Sequence, residues 1–203
     1  MSPSAPILAA SRRTRRTPYS ARVEAAGVRG YTVYNHMLLA TSFRSVEEDY
    51  WHLKRHVQVW DVGCERQVEI AGADAARLVQ WMTPRDLSNA AVGQCLYAPL
   101  IDEQALMIND PVILKLGADR FWLSIADTDV ELWAKGLAFA GKLDVEVSEP
   151  EVWPLAVQGP KSDELMVRVL GDKARGLRYF RFATLAFKRH PLVVARTGSS
   201  RQG

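Results

Sequence analysis

Two neighbouring polar residues stand where strand packing favours apolar side chains. In the run MINDPVILK, Asn109 and Asp110 lie between apolar residues and directly precede Pro111. A carboxylate held half-buried at a strand can accept hydrogen bonds from a ligand, orient it, or take up a proton. The competing reading is a turn at a strand edge, since Asp-Pro is a common turn dipeptide. The other reactive residue types carry weaker patterns. His52 and His56 have the i,i+4 spacing of a zinc pair on one helix face, but no third ligand is apparent nearby and a surface or half-buried pair is preferred. Cys64 and Cys95 sit in separate apolar segments without metal-like spacing. Nothing beside either cysteine suggests a base that would make it a nucleophile. Dinucleotide-binding, P-loop, serine-hydrolase and zinc-protease motifs are absent.

The elements that must position these residues follow from periodicity. Ser45 to Trp60 reads as a helix, with Ser45 and Glu48 forming a capping box and Tyr50, Leu53, Val57 and Trp60 an apolar stripe. QVEIAG alternates like a strand, and GADAARLVQWMTP is a short helix ended by Pro84. Residues 94–127 read as three strands, with turns at Asp102 to Ala105 and Gly117 to Arg120. A helix follows, capped by Thr128 or Asp127 and stopped at Gly141. DVEVSE and WPLAVQG are strands, and a further helix has Pro160 at its first position and Gly171 at its end. The last segment is a hairpin turning near Lys188 to Pro191, with Pro191 to Ala195 as a buried strand. Helices interleaved with hairpin-connected strands predict an α+β fold with mostly antiparallel sheets and packed helices.

The chain has 203 residues, 48% of them hydrophobic and 24% charged, with a net charge of +3. It has enough apolar residues for a real core and too many for a disordered chain. No segment approaches the ~20 apolar residues of a membrane span, so no membrane association is expected. The basic excess is concentrated in Arg12, Arg13, Arg15 and Arg16. No aromatic residues interleave with these arginines as stacking platforms, so a solvated, flexible tail over 1–18 is preferred to a nucleic-acid contact. Two isolated thiols point to a reducing, cytoplasmic setting.

The longer motifs carry a resemblance. VWDVGCERQVEIAGADAARLVQWMTPRDL, LIDEQALMINDPVIL, WPLAVQGPKS and VARTG resemble the glycine-cleavage T-protein (aminomethyltransferase) superfamily. YTVYNHMLLATSF, VEEDYWHLK, VQVWDV, CERQVEI and NDPV are similar to its sulfonium-demethylase branch, which passes a methyl group from dimethylsulfoniopropionate to tetrahydrofolate. The T-protein has two aspartates where this chain has Asn109 and Asp110, as the demethylases do. The resemblance implies a small-molecule sulfonium zwitterion as substrate and tetrahydrofolate as methyl acceptor. It implies Asp110 as the catalytic carboxylate, which also orients the folate. Tyr97, Ser124 and Arg196 would contact the folate, and Tyr34 would face the sulfonium. It divides the chain into a discontinuous folate-binding domain over 19–60 and 151–203 and an inserted domain over 61–150.

The chain also departs from that pattern. Ser199 stands where the family has an aromatic residue, and Ala105 and Leu106 replace a glycine-containing turn. The last residue, Gly203, precedes the glutamate that would grip the pterin. The expectation is an incomplete first domain and a missing C-terminal barrel-like domain, with exposed strand edges favouring a homodimer. Two other readings stay open: an enzyme acting on dimethylglycine or betaine, and an inactive remnant that binds folate or a partner.

Overall fold

The structure, a computed structural model, describes residues 13–198. The elements in chain order are α1 (Ser20–Ala25), β1 (Gly30–Tyr34), β2 (Met37–Ser42), α2 (Val46–Arg55), β3 (Gln58–Asp61), β4 (Gln67–Ala71), α3 (Ala75–Trp81), β5 (Cys95–Tyr97), β6 (Leu100–Ile101), β7 (Met107–Asn109), β8 (Val112–Lys115), β9 (Arg120–Ser124), α4 (Val130–Gly141), β10 (Glu146–Ser148), β11 (Leu155–Gln158), α5 (Ser162–Leu170), β12 (Arg181–Phe187) and β13 (His190–Arg196). Every strand pair is antiparallel, as the α+β reading expects.

The centre is a five-stranded sheet in the order β10-β4-β9-β8-β5. Its inner face follows from the two-residue period of a strand. Val68 and Ile70 of β4 point inward, as do Phe121 and Leu123 of β9, Leu96 of β5 and Ile113 of β8; all are buried. They pack on Leu78 and Val79 of α3 and on Val130, Ala134 and Ala138 of α4. Truncating Leu123, which is fully buried, would cost roughly 2–5 kcal/mol. The opposite face carries the row Tyr97, Val112, Ser124 and Gln67, paired directly across β5, β8, β9 and β4. Smaller pairs surround this sheet. The β1–β2 hairpin turns at Asn35 and His36, both at positive φ, as a two-residue hairpin loop of type I′ requires. β3 pairs with β11, so the chain enters and leaves the sheet through neighbouring strands. β12 and β13 form the last hairpin, which a bridge between Gln94 and Arg181 joins to the start of β5.

Several expectations need correction. Ser45 does cap α2, accepting the Glu48 N–H at 3.1 Å, but the helix ends at Arg55 and not at Trp60. Val57 precedes and Trp60 belongs to β3, where β-branched and aromatic residues pair with β11. The region expected as three strands contains five, β5 to β9, because Pro99 and Pro111 have no N–H for a continuous ladder and separate β5 from β6 and β7 from β8. Asp129, not Thr128 or Asp127, occupies the N-cap position of α4. α5 begins at Ser162, two residues past Pro160. The strand at 191–195 is largely exposed, since the β12–β13 hairpin is a two-stranded sheet with much of its surface open. The described part of the expected tail, 13–18, is tied down. Arg15 pairs with Glu149 at 2.7 Å, and the Thr17 hydroxyl, largely buried, donates to Asp61. Arg12 and Ser199 lie outside the described residues.

Candidate functional site

The site is built around the break between β7 and β8. Asn109 is the last residue of β7 and points inward, 4% exposed; Asp110 follows it, half-buried. The Asn109 amide is committed on both sides. Its Oδ1 accepts the Ala126 N–H at 3.0 Å, and its Nδ2 donates to Thr128 Oγ1 at 2.7 Å. The Thr128 hydroxyl in turn donates a hydrogen bond to the Ile108 carbonyl. Asp110 is therefore presented from a fixed backbone.

Tyr97 meets it from β5. The phenol donates to Asp110 Oδ2 at 2.8 Å. That bond to the carboxylate, together with its charge, raises the Tyr97 phenol above its ordinary value, so the phenol stays a donor. Arg85 donates to the Tyr97 carbonyl and steadies the end of the strand. Ser124 lies two strands across in the same row, its hydroxyl accepting from Gln67 Nε2 at 3.0 Å. Asp110, Tyr97 and Ser124 thus sit at one end of the outer sheet face.

Tyr34 ends β1 at the turn of the β1–β2 hairpin, near Glu65, Cys64 and Asp127. Burial raises its phenol above the ordinary value, and the Glu65 carboxylate adds to this. What holds it there is Asn35, 2% exposed, which sequence reasoning passed over. Asn35 donates from its backbone to Asp127 Oδ1 at 2.7 Å, and from Nδ2 to the Cys64 and Ala126 carbonyls, each at 2.9 Å. Asn-His between two strand-like runs was the available signal, and it marks only a turn. Arg196 is placed differently. Its guanidinium pairs with Asp163 of α5 at 2.8 Å and donates to the Leu177 carbonyl.

The remaining reactive types stand apart from this cluster. Burial pushes the Cys64 thiol up to about 12 and the Cys95 thiol up to about 11. The His52 and His56 rings lie 5.0 Å apart. Among the described residues no group of three or more His, Cys, Asp or Glu side chains could hold a metal ion. No helix among them is long and apolar enough to cross a membrane.

Comparison with known proteins decides the family. The family described as the GCVT N-terminal domain matches residues 19–200. The chain belongs to that family. The superfamily resemblance read from the motifs is borne out. Among curated relatives of this GCVT-family chain is the dimethylsulfoniopropionate demethylase DmdA of Ruegeria pomeroyi, 58% identical over 193 residues. That match covers 95% of this chain and 53% of the relative, so the chain spans about half its length. Among solved structures, the glycine cleavage system aminomethyltransferase T of Bartonella henselae superposes with a TM-score of 0.78. It is 20% identical, over 91% of this chain and 50% of that one. The second likeness is one of fold, and it supports the expected aminomethyltransferase architecture.

Proposed function

We propose that this GCVT-family chain serves a tetrahydrofolate-dependent methyltransferase that demethylates dimethylsulfoniopropionate, yielding methylmercaptopropionate and 5-methyltetrahydrofolate. The observation that carries the chemistry is the bond from Tyr97 to Asp110 on an open sheet face. One carboxylate oxygen is held by the phenol and the other is left to accept an N–H of a pterin ring. The exposed ring of Tyr97 beside it offers a face for stacking. These residues fit a folate. Similarity to the relative named a demethylase, which runs through 95% of this chain, supports the choice of methyl donor.

A sulfonium needs little from its enzyme by way of acid catalysis. The carbon–sulfur bond breaks with its electron pair returning to sulfur, and the thioether departs neutral. Tetrahydrofolate, when bound, would supply the nucleophilic nitrogen that takes the methyl group, its N–H proton being released to solvent. The residues of this chain are left with orientation and exclusion of water. Asp110 orients the pterin through its free oxygen. Ser124 adds a polar contact on the same face. Tyr34 presents an aromatic ring to the cation, an attraction worth roughly 0.5–2 kcal/mol. The neutral neighbour of Asp110 in sequence, Asn109, adds no second negative charge beside it. Arg196 enters this reading through its pairing with Asp163, which holds the last hairpin to α5.

The test is anaerobic calorimetry of tetrahydrofolate against the chain, followed by assay of 5-methyltetrahydrofolate with dimethylsulfoniopropionate as donor and Asp110→Ala as control. Methyl transfer that disappears in the Ala variant supports the reading. Transfer from betaine or dimethylglycine but not from the sulfonium overturns the substrate, and absence of folate binding by folded protein overturns the acceptor.

A further inference from the structure

We propose that Asn35 is a positioning residue that sets the placement of Tyr34 relative to Asp110 by holding Ala126. The proposal rests on the folate-dependent reading above for the meaning of those two residues, and on geometry for the coupling itself.

Asn35 occupies a left-handed turn position, with φ 49°. A hairpin turn there requires only positive φ, which glycine supplies without any side chain. The Asn35 side chain of this hairpin is instead buried, with both Nδ2 protons given to carbonyls far away in sequence. One carbonyl, Cys64, precedes β4; the other, Ala126, follows β9. The backbone N–H of Asn35 goes to the next residue, Asp127. None of these three bonds is needed to close the turn.

Ala126 is gripped on its other side by Asn109, whose Oδ1 takes its N–H. One residue is therefore held at its N–H by the neighbour of Asp110 and at its C=O by the neighbour of Tyr34. Because both Nδ2 partners of Asn35 are carbonyls and the Oδ1 partner of Asn109 is an N–H, neither amide can be flipped without losing its bonds. Buried amides satisfied in this way have a single low-energy arrangement, since each alternative leaves a polar group unpaired. The placement of Tyr34 relative to Asp110 is in this way set by two asparagines and the residue they share, Ala126, and not by the hairpin alone.

The test combines resonance and binding measurements on the 203-residue chain. In the wild type, the side-chain NH2 protons of Asn35 and Asn109 exchange slowly with deuterium; rapid exchange of Asn35 would overturn the proposal without any variant. Asn35→Asp keeps the shape and the tolerance for positive φ but replaces the two donors by an acceptor. It is expected to shift the amide resonances of Asp110 and Tyr97 as well as those of the β1–β2 hairpin, and to weaken tetrahydrofolate binding at least fivefold. Val147→Ala, in the core on β10, lowers stability and leaves both readouts unchanged. Resonance changes confined to residues 30–42, with unaltered folate affinity, would show that Asn35 only closes its hairpin. If wild-type protein takes up no tetrahydrofolate, the folate reading falls while the resonance shifts still decide the coupling. Should Asn35→Asp fail to fold, Asn35→Gly replaces it, with the same shifts expected.

Discussion

Asn35 and Asn109 grip the same residue from opposite sides: Asn109 Oδ1 takes the Ala126 N–H at 3.0 Å, and Asn35 Nδ2 donates to the Ala126 carbonyl at 2.9 Å. Each asparagine is the sequence neighbour of a candidate site residue, Tyr34 in one case and Asp110 in the other. The linkage ties the end of β7 and the β1–β2 hairpin to the segment that follows β9.

Removal of the Asn109 side chain should therefore be felt in the fold as well as in the site. Asn109→Ala leaves a buried Ala126 N–H without its acceptor. The expected cost is roughly 1–3 kcal/mol, the penalty for an unpaired buried polar group. Urea unfolding followed by circular dichroism checks it. Thr128→Ser keeps the hydroxyl that Asn109 bonds, and its unfolding midpoint should stay within about 0.5 kcal/mol of wild type. Equal losses in the two variants would mean that the amide is not what holds this loop.

Tyr97 gives a complementary result, because its ring is substantially exposed. Tyr97→Phe should leave stability nearly unchanged and weaken tetrahydrofolate by about tenfold, or ~1.4 kcal/mol. The bond to Asp110 raises the Tyr97 phenol, which favours its neutral form. Ultraviolet titration should place this phenol above the ordinary tyrosine value, and Asp110→Asn should bring it back down. A Tyr97 that titrates normally in wild type would remove the basis for the pairing.

Much of this was legible in sequence, and the exceptions have physical causes. The alternation of Val68, Glu69 and Ile70 announced β4, and Ser45 announced the start of α2. The polar pair before Pro111 marked the site, although only three dimensions show that Asn109 turns inward and Asp110 outward. The overlong second helix arose because Val57 and Trp60 satisfy helical spacing; the partner that makes them extended, β11, lies about a hundred residues further on. Asn35 was invisible for the same reason. Its partners Cys64 and Ala126 are remote, and a turn asparagine carries no mark that it is buried.

The turn at Ala105 offers a stabilising substitution. Ala105 has φ 63°, a left-handed conformation imposed while Asp102 Oδ1 accepts the N–H groups of Gln104 and Leu106. An L-residue there costs roughly 1–2 kcal/mol that glycine avoids, offset in part by the greater freedom of glycine in the unfolded chain. Ala105→Gly should raise stability by about 0.5–1 kcal/mol, read as a higher urea midpoint. A lower midpoint would mean that this turn does not hold its left-handed residue in solution.

The thiols should be inert in native protein. Burial pushes Cys64 to about 12 and Cys95 to about 11, so the reactive thiolate is scarce at pH 8. A disulfide exchange reagent should label neither cysteine of the folded chain within minutes, and both after addition of denaturant. Fast labelling of Cys64, which is 1% exposed, would also contradict its burial.

Acid stability should report the pairing that ties residue 15 to the sheet. Burial alone would push the Glu149 carboxyl up, but the Arg15 and Arg66 guanidinium groups outweigh it and hold the group below its ordinary value. A depressed carboxylate contributes stability that is present above its unfolded value, near 4.3, and lost as pH falls through the folded value. As acid is added, the unfolded chain takes the proton first. Unfolding midpoints measured from pH 6 down to pH 3 should therefore decline below about 4.5 in wild type. Glu149→Gln should be less stable at neutral pH and show a shallower decline, since it has no carboxyl to protonate. Arg15→Gln should give an intermediate slope, because Arg66 still donates to Glu149 at 2.7 Å. An Arg15 variant indistinguishable from wild type would mean that the segment before α1 is not held by this pair in solution.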